Sequence, residues 1–139
     1  MIELVVVVAI MGLLAAIAWP KFDGFFAAQM PRRALDQVGA DMGMARINAV
    51  RNGMRASVRF SSATAYSVTL DDPAGTRTLK SENLSAGYPG TRITPATGVY
   101  TFDSRGLKTS TTTDTIKATK NAKTVYITIS PLGRVTRVY

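Results

Sequence analysis

Apolar and polar positions are unevenly spread along this chain. Residues 2–19 read IELVVVVAIMGLLAAIAW, and from Leu4 to Trp19 no side chain is charged or strongly polar. As a helix, residues 1–19 span about 28 Å, close to the roughly 30 Å apolar core of a bilayer. Three roles fit such a run: a cleavable secretory signal ending at Ala16-Ile17-Ala18, a transmembrane anchor, or a helix buried in an assembly. The Met-Ile-Glu start lacks the basic n-region of a signal, which favours a retained helix. Glu3 is the exception in the run. A carboxylate costs about 2.5–3.5 kcal/mol at mid-membrane. Near the end of the segment it reaches the headgroups, or it pairs with a cation such as the α-amino group of another copy and selects register inside an apolar core.

Beyond Trp19 the pattern becomes amphipathic. Pro20 and Pro31 each remove a ladder hydrogen bond and predict breaks or kinks. Phe22, Phe25, Phe26, Leu35, Val38, Met42, Ala45 and Ala49 recur at spacings of three and four, and Ile47, Val50 and Met54 are expected to widen that stripe. Arg32, Arg33, Asp36, Gln37, Arg46, Asn48 and Arg51 fall between. Gly53 is a plausible C-terminal stop. The expectation is a long, curved, interrupted helix.

After Gly53 the period switches to alternation. Strands are expected at residues 55–60 and 66–70 around a turn at 61–65, and a weaker one at 76–80 after the Asp71-Asp72-Pro73-Ala74-Gly75 turn. Residues 85–89 read as loop, Ile93 as the start of a short strand, and residues 99–103 as a strand turned by Ser104-Arg105-Gly106. Residues 109–115 (TSTTTDT) read as a polar surface loop, with O-glycosylation as a further option. Residues 124–130 and 134–139 read as a hairpin joined by Pro131-Leu132-Gly133. One long helix followed only by strands predicts an α+β fold, with an antiparallel sheet packed on the amphipathic half of the helix. Three regions follow: 1–20, an apolar transmembrane or filament-core helix; 21–54, the amphipathic helix; and 55–139, the β domain.

Composition narrows the chemistry. The 139 residues include no His and no Cys. That removes the usual zinc sites, a Cys nucleophile, a Ser-His-Asp triad and disulfides. No Gly-rich phosphate loop with its Lys-Ser/Thr partner occurs, and no cofactor is implied. Asp71-Asp72 hints at a calcium loop but is more simply a turn. The tyrosines at 66, 88, 100, 126 and 139 suit packing on strands better than base stacking. The composition suits a building block rather than an enzyme.

Several segments resemble one family. MIELVVVVAIMGLLAAIAWPKF at residues 1–22 is similar to the N-terminal segment of type IV pilins and type II secretion pseudopilins. Residues 44–53 (MARINAVRNG) resemble the helix end of the GspH/FimT pseudopilin branch. Residues 101–106 (TFDSRG) resemble its FDxRG segment, and residues 129–135 (ISPLGRV) its closing S-x-x-G-R-V hairpin. Residues 61–98 match nothing in particular.

The resemblance implies a subunit that waits in the inner membrane, is cut by a prepilin peptidase, is N-methylated, and is built by an assembly platform into a periplasmic or extracellular filament of identical or related subunits. The family's Glu corresponds to Glu3, which would contact a neighbour's N-terminal amine, and its helix-breaking Pro corresponds to Pro20. Val5, Val8, Leu13 and Ile17 would pack in the filament core. Glu3 and Pro20 each fall two residues earlier than the family's pattern, which predicts two further mature residues before Met1. An all-apolar helix is not viable bare in water, and a head-to-tail contact that does not close builds a fibre.

Charge adds a second reading. The chain carries 17 Lys+Arg against 9 Asp+Glu, a formal +8, of which residues 56–139 hold eleven basic against five acidic side chains. FimT-like pseudopilins of DNA uptake use a basic C-terminal segment, which Gly133-Arg134 and Arg137 partly match. Lys120, Lys123, Arg134 and Arg137 are therefore candidate DNA contacts. The simpler reading is a solvated basic surface. On a regular strand Arg134 and Arg137 are expected on opposite faces.

Overall fold

The computed structural model describes residues 2–138, with the side chains of residues 18–27 excepted. A single helix, α1 (Ile2–Asn52), is followed by β1 (Ala56–Ser62), β2 (Ala65–Asp72), β3 (Gly75–Asn83), a short helix α2 (Leu84–Gly87), β4 (Arg92–Thr94), β5 (Gly98–Phe102), β6 (Asp114–Lys120), β7 (Lys123–Ile129) and β8 (Val135–Val138). The fold class is α+β, as the pattern predicts.

Helix α1 differs from expectation in being one helical segment through both Pro20 and Pro31. A proline removes one donor and leaves the bonds on either side able to form. Pro31 is itself buried, so its ring contributes packing. The expected stripe residues Phe22, Phe25 and Phe26, and the ring of Pro20, lie outside the described side chains. From Leu35 onward the stripe is as expected: Leu35, Val38, Met42, Ala45 and Ala49 are all buried. Ile47 and Val50 do not widen it, being 66% and 51% exposed. At about 100° per residue Ile47 lies across the helix from Ala45. The helix stops at Gly53, whose φ of 64° is the left-handed conformation that ends helices.

The strands form two four-stranded antiparallel sheets rather than the single sheet expected. One has the order β3-β2-β1-β5 and the other β4-β6-β7-β8. The second sheet depends on β6, which the sequence concealed. Residues 114–115 of the presumed Thr-rich loop open this strand, and only Ile116 and Ala118 mark its buried face. Thr and Lys on the alternate positions tolerate an exposed pleat, so a weakly apolar strand survives by pairing with β7 from Asp114↔Ile129 to Lys120↔Lys123. The expected loop after β3 begins with α2, where the Asn83 side chain accepts from the Ser85 backbone N–H at 3.0 Å and so caps it.

The amphipathic half of α1 packs on both sheets. Ala56, Val58, Phe60, Tyr66, Val68, Leu70, Tyr100 and Phe102 meet it from the first sheet, and Ile93, Ile116, Ala118, Ile127 and Ile129 from the second. Phe60 meets Tyr100 edge-on at 5.8 Å between centroids.

One polar group enters this core. Asp41 is buried on α1 and accepts from the Tyr66 hydroxyl at 2.5 Å and from Lys80 Nζ at 2.9 Å. Lys80 also reaches Glu82 at 3.0 Å. The network ties α1 to β2 and β3. Burial, then the bond to Asp41, pushes the Tyr66 hydroxyl pKa far up, while the bond to Asp41 is the main cause of the raised Lys80 pKa.

Removing the carboxylate strands a buried hydroxyl, although Lys80 can still reach water. Asp41→Ala should lose about 2–3 kcal/mol of stability, and Tyr66→Phe about 1–2 kcal/mol, in urea titrations. Both raised pKa values give stability that is full below the unfolded values near 10 and is lost as pH rises through the folded ones. The gap between wild type and Asp41→Ala should therefore narrow in strongly alkaline buffer.

Candidate functional site

Among the described side chains of α1, those of residues 2–17 are all exposed. Every described large apolar side chain from Ile2 to Ile17 is at least half exposed, from 50% at Val7 to 78% at Ile2. Val5, Val8, Leu13 and Ile17 are 65%, 59%, 64% and 57% exposed. At about 100° per residue these four spread over half the circumference, and the other residues from Leu4 to Ile17, none of them polar, cover the rest, so this segment is apolar all round rather than striped. Glu3 is exposed in the first turn, where a carboxylate is favoured by the helix dipole. Met1, whose amine bears on the pairing expected of Glu3, lies outside the described residues. Among the described residues no helix is long and apolar enough to cross a membrane. The described side chains of residues 2–17 make about 24 Å of helix, and the expected span to Pro20 reaches beyond them.

At the other end of α1 three of the four segments that carry the family resemblance meet. Asp103 closes the first turn: its carboxylate accepts from the backbone N–H of Leu107 at 2.8 Å and of Arg105 at 2.9 Å, and from the Arg105 guanidinium at 3.0 Å. Those bonds, the one from Leu107 foremost, hold its pKa below the usual carboxylate value. This places Gly106 at φ 77°. The β7–β8 hairpin supplies Gly133 at φ 72°, with its N–H donating to Ser130 O at 2.9 Å. Lys108 N–H donates to Pro131 O at 2.9 Å and joins the two turns. Arg46 on α1 then donates through Nε to Gly106 O at 2.9 Å. A Cβ on Gly133 would strike Gly106 O and sit 3.1 Å from Arg46 Nε, and one on Gly106 would lie 2.8 Å from Val50 Cγ2. Only glycines let the turns stack on the arginine. Each motif is visible in sequence, but their convergence is not.

The basic candidates divide between the ends of the second sheet. Lys120 and Lys123 face each other across the β6–β7 hairpin. Arg137 lies opposite Ile127, and Arg134 opposite Ser130 at the far end of β7. At about 3.3 Å per residue, Lys123 is roughly 13 Å along β7 from the level of Arg137 and 23 Å from that of Arg134. Arg134 and Arg137 do share a place. Both line a groove of about 350 Å³ with Gly39, Ala40, Val135 and Thr136. Arg134 precedes β8, so the strict alternation expected of a strand does not extend to it. Arg137 Nε is paired with Asp36 of α1 at 2.8 Å.

Sequence reasoning missed Lys108, which is buried and donates to Thr112 O and to Asp114 at 2.5 Å. The only signal available was a lysine beside a strand of uncharged neighbours. Asp71 and Asp72 act in their turn, Asp72 accepting from Ala74 N–H at 3.0 Å. Among the described residues no group of three or more metal-ligating side chains gathers.

Comparison with known proteins places this geometry in context. The sequence model of the family described as Type II transport protein GspH matches residues 34–133, which include Arg46, Gly106 and Gly133. No curated protein sequence matches. Among solved structures, the chain is similar to the type IV minor pilin FimU of Pseudomonas aeruginosa, with a TM-score of 0.65 and 19% identity over 78% of this chain and 88% of that one. It is also similar to the minor pseudopilin EpsH from the Type 2 Secretion System of Vibrio cholerae, with a TM-score of 0.61 and 12% identity over 78% of this chain and 95% of that one. At these identities the likeness is one of fold.

The junction should be intolerant of a single methyl group. Gly133→Ala adds left-handed strain and overpacking and should cost about 2–4 kcal/mol, with Gly106→Ala similar. Gly43→Ala, in α1 with nothing within 4 Å of the new methyl, should instead gain about 0.5–1 kcal/mol. Thermal melts of the three variants check the contrast.

Proposed function

We propose a function from the premise that the chain belongs to the GspH family of type II transport proteins. The reading it supports best is a structural subunit of a type IV pilus-like or type II secretion-like filament, assembled through its N-terminal helix. One observation carries it: the described apolar side chains of residues 2–17 are bare on every side, while from Ala34 to Ala49 the helix buries a stripe. A helix apolar all round must be covered by lipid or by protein. Covering about 1,500–2,000 Å² of apolar surface at about 25 cal/mol/Å² is a gross gain of tens of kcal/mol, before ordering costs. The subunit then sits in the inner membrane before assembly, and in a periplasmic or extracellular filament afterwards. Its partners are copies of itself or related subunits, with a prepilin peptidase and an assembly platform acting on it. Val5, Val8, Leu13 and Ile17 pack in the core, Pro20 marks the end of the core segment, and Glu3 pairs with a neighbour's amine. The role is structural rather than catalytic.

A second reading, DNA binding during uptake through Lys120, Lys123, Arg134 and Arg137, draws support from the shared groove of Arg134 and Arg137. The separation of the lysines from the arginines along β7, and the use of Arg137 by Asp36, count against one continuous phosphate track. A mobility shift that falls with salt and vanishes in the Arg134→Ala, Arg137→Ala double variant would favour DNA, and no shift at low salt would dispose of it.

The filament reading is tested at Glu3. Glu3→Ala should leave the subunit in the membrane fraction and reduce filaments sheared from cells at least about tenfold, equal to about 1.4 kcal/mol or more of lost pairing. Filament yield equal to wild type would remove the pairing role. A full-length chain that stays monomeric in detergent-free buffer would count against assembly altogether.

A further inference from the structure

Each sheet has two edges, and their treatment differs. At β4, Ile93 N–H is taken by Ala63 O at 2.7 Å, which ties that edge to the first sheet. At β5, Thr101 O accepts from Thr109 N–H at 2.9 Å. Strand β3 is an edge that carries Arg77, Lys80 and Glu82 and sits beside an irregularity in register at Val68/Thr69, features that discourage pairing. Strand β8 is a four-residue edge with one charged side chain, Arg137, and no irregularity in its register with β7. Among the described residues no backbone group reaches its outer side.

The register says which groups are open. Ser130 N–H donates to Arg134 O at 2.9 Å, which closes the β7–β8 hairpin. Antiparallel ladders alternate, so Thr136 and Val138 turn their N–H and C=O toward β7 while Val135 and Arg137 turn theirs outward. That open edge borders the groove between β8 and α1, whose helix side is Gly39 and Ala40. The helix side is low because those side chains are small.

The groove is rimmed by positive charge. Arg134 is exposed and has no ion-pair partner among the described residues, while Arg137 is shared with Asp36. Arg33 lies two turns before Ala40 on the same helix face, is exposed, and is likewise unpaired. Three cations and one carboxylate therefore border a strand edge with free donors and acceptors.

We propose that the outer edge of β8 captures an extended, carboxylate-bearing peptide segment of a partner protein, which adds a fifth antiparallel or parallel strand to the second sheet. The backbone groups of Val135 and Arg137 supply the hydrogen bonds, and Arg33 and Arg134 receive the carboxylates. A free strand edge has no counterpart in a nucleic acid, so the backbone geometry favours peptide over DNA. The site is separate from the apolar helix and stands whether or not the filament reading holds.

The test uses the full chain in detergent micelles and a fluorescein-labelled hexapeptide alternating valine and glutamate. The peptide should bind saturably by anisotropy, a valine–lysine hexapeptide should not, and bound peptide should slow amide exchange at Val135 and Arg137. Two variants with unchanged circular dichroism, Arg134→Glu and Ala40→Trp, should each weaken binding at least about fivefold, the worth of one charge-assisted contact near 1 kcal/mol. Absence of binding, or binding untouched by both variants, overturns the proposal. So does slowing of the Val135 and Arg137 amides with protein concentration alone, which would mean a second copy. Duplex DNA that binds through Arg134 while the peptide leaves those amides exchanging freely would also overturn it.

Discussion

Helix α1 must bury one stripe against two sheets from Ala34 to Ala49 while its described residues 2–17 carry a bare apolar surface. The two tasks need opposite surfaces. The C-terminal half is striped and small where it packs, with Ala34, Ala45 and Ala49 fully buried. Small residues bring the helix close to both sheets, so Ile127 and Val68 can share one core. The described residues 2–17 have no stripe, so no single sheet could cover them. A surface apolar on every side asks for cover on every side. The division into a folded unit and a projecting helix is thus written into the angular distribution of apolar residues around one continuous element.

That constraint gives the Arg46 junction its importance. Helix α1 is attached to the β domain by polar bonds as well as by its buried stripe. Asp41 fastens it to β2 and β3 in the first sheet, and Asp36 to β8 in the second. Arg46 fastens it to the turns that leave β5 and join β7 to β8. The three attachments lie five residues apart along α1, at about 140° increments, and so face different directions. Together they hold the helix against both sheets by directed bonds as well as by apolar burial, which alone has no preferred orientation.

Much of this was legible from the sequence, and the failures have physical causes. The switch from helical to alternating period at Gly53 reports a real change of surface, and the buried positions from Leu35 to Ala49 follow directly from their spacing. The motifs around Arg46, Gly106 and Gly133 were legible as family marks but not as one site, because contacts across 60 residues leave no local periodic trace. Strand β6 was illegible because only Ile116 and Ala118 mark its buried face, and a Thr-rich strand resembles a loop until a neighbour pairs with it. The helix through Pro31 was legible from its apolar spacing, and only the interruption expected at the prolines is absent from the single helical segment Ile2–Asn52.

The basic charge also changes meaning once partners are known. Of nine carboxylates, Asp36, Asp41, Glu82, Asp103 and Asp114 are held in ion pairs with Arg137, Lys80, Arg105 and Lys108. Most of the negative charge is therefore used in holding turns and strands in place. The excess that makes the chain +8 is left to side chains without such duty, among them Arg33 and Arg134 beside the open edge of β8. The pairing does not alter the net charge, but it decides which basic side chains remain available to a partner. At the open edge of β8 that leaves Arg33 and Arg134 without an ion-pair partner among the described residues, beside an Arg137 already shared with Asp36.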